Sequence, residues 1–300
     1  MVVVMNISFI KYYKIYYLIS GILIVASIAS LVVFGLRFSI DFLGGSILEV
    51  ELEKRPENSV IREKLNKFDL GEVTVQSAGD KGVILRLKSI DEAIHKQILS
   101  SLGEISPVEE KRFESIGSTI GKELRGKTLF LIFVSLIALL VYIAIAFRKI
   151  SGTVSSWQYG VVSIITLTFD VLIPLSVFAL LGKLYNVQLN IPIVAALLTI
   201  LGYTINDKVI VFDRVRENLL KSREENFEEL VNQSLNQILG RSLSTGTCTL
   251  FVLLSIFLLG GETLKYFALT LIIGIVVGTY SSLFIASPLL ISWEKWRRRK

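Results

Sequence analysis

Histidine and cysteine are nearly missing from this chain, with one of each, His95 and Cys248, in 300 residues. A metal centre assembled from several imidazoles or thiolates is therefore excluded, and no intrachain disulfide can form. Charge is scarce as well, at 19% of residues against 52% hydrophobic, with a mean hydropathy of +0.62. Soluble domains carry about 25% charged residues, so part of this apolar excess must face lipid. The net charge is +6, and the chain ends in WEKWRRRK. A basic tail that follows a hydrophobic run reads as an anchor at an anionic membrane surface, not as a nucleic-acid-binding arm.

A helix needs roughly 20 mainly apolar residues to cross a bilayer. Six stretches qualify: 15–36, 127–147, 160–181, 191–212, 242–260 and 264–292. The first is too long for a signal peptide and has no small-residue cleavage pattern before Arg37. With the N-terminus inside, the inner segments hold Lys11, Lys14, Arg148, Lys149, Arg214, Arg216, Lys221, Arg223, Arg241, Lys295 and Arg297 to Lys300, while the short outer loops hold only Lys183 and Lys265. That bias predicts both termini in the cytoplasm. Tyr12, Tyr13, Tyr16, Tyr17, Trp157, Trp293 and Trp296 fall where an inner aromatic belt belongs.

The segment 37–126, between the first two runs, has the composition of a soluble domain. SILEVEL alternates as a strand, and ENSVIREKLNKF has helical spacing with Val60, Ile61, Leu65 and Phe68 on one stripe. EVTVQSA and GVILRLKS read as two strands, and SIDEAIHKQILSSL as a helix whose Ser89 and Glu92 form a capping box. SPVEEKRF supplies a last strand. The order β-α-β-β-α-β is that of a ferredoxin-like sandwich. The expected organisation is an N-terminal span (1–36), an external α+β domain (37–126), and five further spans (127–300) with an amphipathic inner connector at 213–241.

Ionisable residues inside such spans cost at least about 2.5–3.5 kcal/mol near the helix centre, so each needs a reason. Asp170 sits mid-span, four residues before Pro174, which removes a backbone donor from that turn. Asp207 precedes the inner end of the fourth span by a few residues, roughly 7–8 Å deep at 1.5 Å per residue. Arg241 opens the fifth span from the same side, so the two can share a depth and pair. Ser242, Thr245 and Thr247 follow Arg241 as small hydroxyls suited to close helix contact or to solvating a proton. Lys208 lies about 100° round the helix from Asp207 and is expected to snorkel to the inner surface. Asp213 with Arg216, and Arg214 with Glu217, are spaced for i, i+3 ion pairs. Gly44 and Gly45, just past the first span, are read either as backbone freedom at a joint or as an ordinary turn.

DFLGG at 41–45, SIGSTIGKELRGK at 115–127, GYTINDKVIVFDRVREN at 202–218 and RSLSTGTCTLFVLLSIFLLGG at 241–261 resemble, in this order, segments of the SecF family of the bacterial protein-export machinery. The resemblance runs over nearly the whole chain. It implies one six-span half of the resistance–nodulation–division type in the cytoplasmic membrane. It also implies SecD, the SecYEG translocon and unfolded preproteins as partners, beside membrane lipid. The implied role is non-enzymatic: proton motive force, or a sodium gradient, helps draw preproteins to the outer side, with no bound cofactor. By the same resemblance Asp207 and Arg241 conduct protons, Asp170 is a further membrane aspartate, and Asn206 adjoins the centre. Asp41, Gly44 and Gly45, and Asp213 with Arg214, belong to family motifs. The chain departs from the pattern at Phe169, where His is frequent, at Lys208, where small hydroxylated residues are usual, and at Gly246 and Cys248.

Three competing readings differ in the residues they require. A drug or lipid exporter of the same superfamily usually carries two six-span halves in one chain. An intramembrane aspartyl protease uses Gly-x-Gly-Asp, whereas Thr204-Ile205-Asn206-Asp207 stands here. A scaffold would use its polar residues only to hold helices together.

Overall fold

The computed structural model describes residues 7–299 except residue 72 and the stretches 147–155 and 222–225. Of the cations counted for orientation, Arg148, Lys149, Arg223 and Lys300 lie outside the described residues. In chain order, the elements are α1 (Tyr13–Phe34), a short α2 (Ile40–Leu43), β1 (Gly45–Leu52), α3 (Asn58–Leu65), β2 (Thr74–Ala78), β3 (Gly82–Leu87), α4 (Glu92–Gly103), β4 (Val108–Ile116), α5 (Ser118–Ala146), α6 (Ser156–Tyr185), α7 (Ile191–Lys221), α8 (Phe227–Leu259), α9 (Glu262–Ser281) and α10 (Ser287–Arg298), with a π-helical turn at Ser282–Ala286 between the last two. Among the described residues, six helical segments are long and apolar enough to span a bilayer. The chain divides into two units, Phe38–Leu131 and the remainder.

The α+β unit has the predicted order. Its sheet runs β2-β3-β1-β4 with every neighbouring pair antiparallel, which is ferredoxin-like topology. Strand alternation sends Leu48, Val50 and Leu52 of β1 and Val83, Leu85 and Leu87 of β3 into a core with Ile61, Leu65, Ile98 and Leu102 from the two helices. Val60 is exposed instead of joining the stripe. Ile61 and Leu65, four apart, face the sheet, and Val60 falls to their flank. The capping box is also displaced: Asp91, not Ser89, is the N-cap of α4, accepting from the Ile94 amide at 2.9 Å. Ser89 hydrogen-bonds Ser115 instead. Asp91→Ala is expected to cost about 1 kcal/mol, read as roughly fivefold faster hydrogen exchange at the first amides of α4 in the full chain.

The two glycines of DFLGG have a geometric reason. Gly44 and Gly45 take φ of +77° and +135°, which disfavour any side chain. A Cβ on Gly44 would come within 2.8 Å of the Ser118 backbone, and one on Gly45 within 2.9 Å of the Leu87 carbonyl. They permit a close crossing at the start of α5.

In the membrane unit, α6, α7 and the last span are each about half buried, whereas α5 is 6% buried and α1 11%. The buried residues of α1 are Ser20 and Ser27. Ser20 meets the Tyr280 hydroxyl at 3.2 Å, and Ser27 accepts from Ser176 at 3.0 Å. This inverts the pattern of a water-soluble helix: small polar residues face protein and apolar ones face outward, as a lipid environment requires.

Two helices exceed the membrane thickness. α7 has 31 residues and α8 has 33, about 46 and 50 Å at 1.5 Å per residue, against a hydrocarbon core near 30 Å. The amphipathic connector is thus no separate segment in its second half; from Phe227 it runs straight into the fifth span. Its stripe of Leu230, Val231, Leu235, Ile238 and Leu239 packs with Phe212 and Val215 of α7 and Leu290 of α10. The last span is interrupted where Pro288 removes the amide that would bond the Phe284 carbonyl, and the backbone widens into a π turn just before it.

Candidate functional site

The polar centre forms where α6, α7, the start of the fifth span and the π turn converge. Gly274 and Gly278 of α9 make the convergence possible. A Cβ on Gly274 would lie 2.1 Å from Ile200 Cδ1, and one on Gly278 would lie 2.0 Å from Thr204 Cγ2. The GIVVG repeat therefore lets α9 press its backbone against α7, as small-x-x-x-small motifs do in membranes.

Within that contact, Asp170 of α6 and Lys208 of α7 form an ion pair at 2.5 Å, Nζ to Oδ2, and both side chains are 0% exposed. Lys208 therefore does not snorkel. Asp170 offers a carboxylate inside the bundle, and neutralising that charge in place outweighs the reach of the lysine stem to the surface. Asp207, the preceding residue, is half-buried on the adjoining face of α7. Its Oδ1 accepts from the Ser242 hydroxyl at 2.9 Å, its Oδ2 is buried without a hydrogen-bond partner among the described residues, and Ser282 of the π turn lies beside it.

The expected pairing of Asp207 with Arg241 is not formed. Arg241 is exposed, and among the described residues no ion pair joins it to Asp207. The helix explains this: Ser242 faces α7, and its predecessor is turned about 100° away. Thr245 and Thr247 are likewise exposed, leaving Ser242 as the hydroxyl of that trio at the carboxylate. Asn206 is exposed as well, and Asp41 lies in α2 of the other unit. The two local pairs of the DRVRE segment are present, Arg214–Glu217 at 2.5 Å and Asp213–Arg216 at 3.8 Å. Phe169, at the position where the family often has His, packs near Tyr280.

Sequence reasoning missed two participants. Lys208 was visible as a charge in a span but assigned outward, because its partner lies 38 residues away on another helix. Ser282 became relevant only through the π turn. The glycine repeat at 274–278 was a legible signal of close helix packing and went unread.

The chain is similar to known proteins over nearly its whole length. The family model described as "Protein export membrane protein SecD/SecF, C-terminal" matches residues 95–296, and the SecD/SecF GG motif matches 29–54. The chain belongs to the SecD/SecF family. Among its SecF relatives, the protein translocase subunit SecF of Thermobaculum terrenum is 40% identical, covering 93% of this chain and 91% of the relative. The SecF subunit of Vibrio alginolyticus is 36% identical over 95% and 89%. A crystal structure of SecDF, a translocon-associated membrane protein from Thermus, superposes with a TM-score of 0.85 at 31% identity. It covers 98% of this chain, which spans 40% of the SecDF chain. A SecDF structure in a super-membrane-facing form gives a TM-score of 0.70.

Proposed function

We propose that this chain is the SecF half of an accessory to the Sec translocon. With a SecD half, it draws on the proton motive force to assist preproteins at the outer side of the cytoplasmic membrane. That SecDF carries the matching fold as part of a longer chain supports a SecD partner. The lysine and arginine bias of the short loops supports cytoplasmic termini, and with them an extracytoplasmic α+β unit placed to meet the emerging preprotein.

The observation that carries the reading is the carboxylate of Asp207. It is half-buried in a membrane helix, one of its oxygens has no partner among the described residues, and its neighbour in sequence, Lys208, forms a buried pair with Asp170. A carboxylate in that position changes its interactions with Ser242 and Ser282 when it gains or loses a proton. Those hydroxyls belong to the fifth and sixth spans, so protonation biases helix packing. Each charge moved across 100 mV supplies about 2.3 kcal/mol to that work. Arg241 lies next to Ser242 in sequence, and its role would be to meet the carboxylate in another arrangement of α7 and α8.

The test uses inverted membrane vesicles carrying the chain together with its SecD half. Asp207→Asn is expected to insert normally and to abolish the proton-dependent component of preprotein release. Release that still responds fully to the proton gradient in this variant rules the reading out.

A further inference from the structure

The Asp170–Lys208 pair has no part in the proposal above beyond its proximity to Asp207, yet it is the most deeply buried charge pair among the described residues. We propose that Lys208 is a tethered cation that fixes the ion specificity of the centre: its ammonium fills the place a sodium ion would take at Asp170 and leaves a proton on Asp207 as the exchangeable charge. The inference rests on the reading of Asp207 as the coupling carboxylate.

The groups at the centre set the charge. Two carboxylates and one ammonium leave one net negative charge, and a single proton on Asp207 cancels it. A sodium ion needs several oxygen ligands to replace its hydration shell. Oxygens suited to that purpose are present. Asp170 Oδ1 and Thr204 Oγ1 are both buried and unpartnered among the described residues, and both residues flank Gly278, whose added Cβ would meet Thr204 Cγ2 at 2.0 Å and Asp170 Oδ2 at 3.9 Å. Lys208 Nζ, 2.5 Å from Asp170 Oδ2, places a compact positive charge at the Asp170 carboxylate. A second monovalent cation would sit against that ammonium in a low-dielectric interior, where like charges repel strongly. A proton escapes this conflict because it binds covalently to one oxygen of Asp207 and requires no ligand shell. With a small hydroxyl in place of Lys208, the centre as a whole would carry two net negative charges, one on Asp170 and one on Asp207, and the hydroxyl would add one more oxygen ligand.

The experiment measures cation-dependent thermal stability of the full chain in lipid nanodiscs, titrating sodium against choline at constant ionic strength. The forms compared are the unmodified protein, Lys208→Ser, and the double variant Lys208→Ser with Asp170→Asn. A ligand that binds only the folded state raises its melting temperature saturably. The unmodified protein is expected to show no sodium-dependent shift, Lys208→Ser to gain a saturable rise of several degrees, and the double variant to lose it. A saturable sodium response in the unmodified protein overturns the proposal, even where Lys208→Ser cannot be produced. A sodium-blind Lys208→Ser overturns it equally. The readout is independent of export, so it stands apart from the Asp207→Asn experiment that tests the coupling role itself.

Discussion

Asp170→Asn is expected to destabilise the folded chain by about 3–5 kcal/mol, as is Lys208→Met, because each leaves one charge buried and unpaired. Both side chains are fully buried, and their contact at 2.5 Å is made deep in a bundle where no surface water can substitute for the lost partner. A joint replacement behaves differently. Asp170→Leu with Lys208→Met removes both charges and keeps comparable volume, and such exchanges are commonly neutral or stabilising by up to a few kcal/mol. The measurement is thermal or denaturant unfolding in detergent for the two single variants and the double. Losses that simply add in the double variant would show that the two side chains do not act as a pair.

The single-residue resolution of this expectation was not available from the chain. Composition and run length were enough for six spans, because a bilayer demands a length of apolar sequence that few other environments tolerate. The α+β unit was legible for a related reason: period-two and period-3.6 patterns alternate there in a sequence that has water on one side of each element. Asp170 and Asp207 stood out as costly groups in lipid. Their partners did not, since a sequence orders residues along a helix but not around a bundle. Lys208 was assigned to the surface by the general behaviour of lysine, and the neighbour on α6 reversed it. Arg241 was paired with Asp207 by depth alone, and one step of helical rotation put Ser242 there instead. The continuity of the connector with the fifth span has the same origin. Nothing between Phe227 and Arg241 breaks the helical period, so the connector and the fifth span fold as one rod.

Gly278→Ala is expected to destabilise the membrane unit by about 1–3 kcal/mol, the usual range for overpacking a close contact. The new methyl would meet Thr204 Cγ2 at 2.0 Å, and Thr204 is β-branched and buried, so its side chain has little rotamer freedom to move aside. α9 would have to withdraw from α7, and with it the π turn that brings Ser282 to Asp207. The expected consequence is therefore a coupled loss of stability and of proton-dependent preprotein release, from a residue that carries no charge and no hydrogen-bonding side chain. Removing the obstructing methyl supplies the control. Thr204→Ala in the Gly278→Ala background still leaves the two Cβ atoms about as close as the 3.0 Å now separating Thr204 Cβ from the added carbon, whereas Thr204→Gly removes that contact as well. Recovery should thus rise from alanine to glycine at position 204, net of the helix-propensity cost of glycine, about 1 kcal/mol. Unfolding of the unmodified protein and the three variants in detergent checks the order. A Gly278→Ala protein as stable as the unmodified one would mean that the helix contact yields without cost, and the close approach of α9 would then lose its role in assembling the centre.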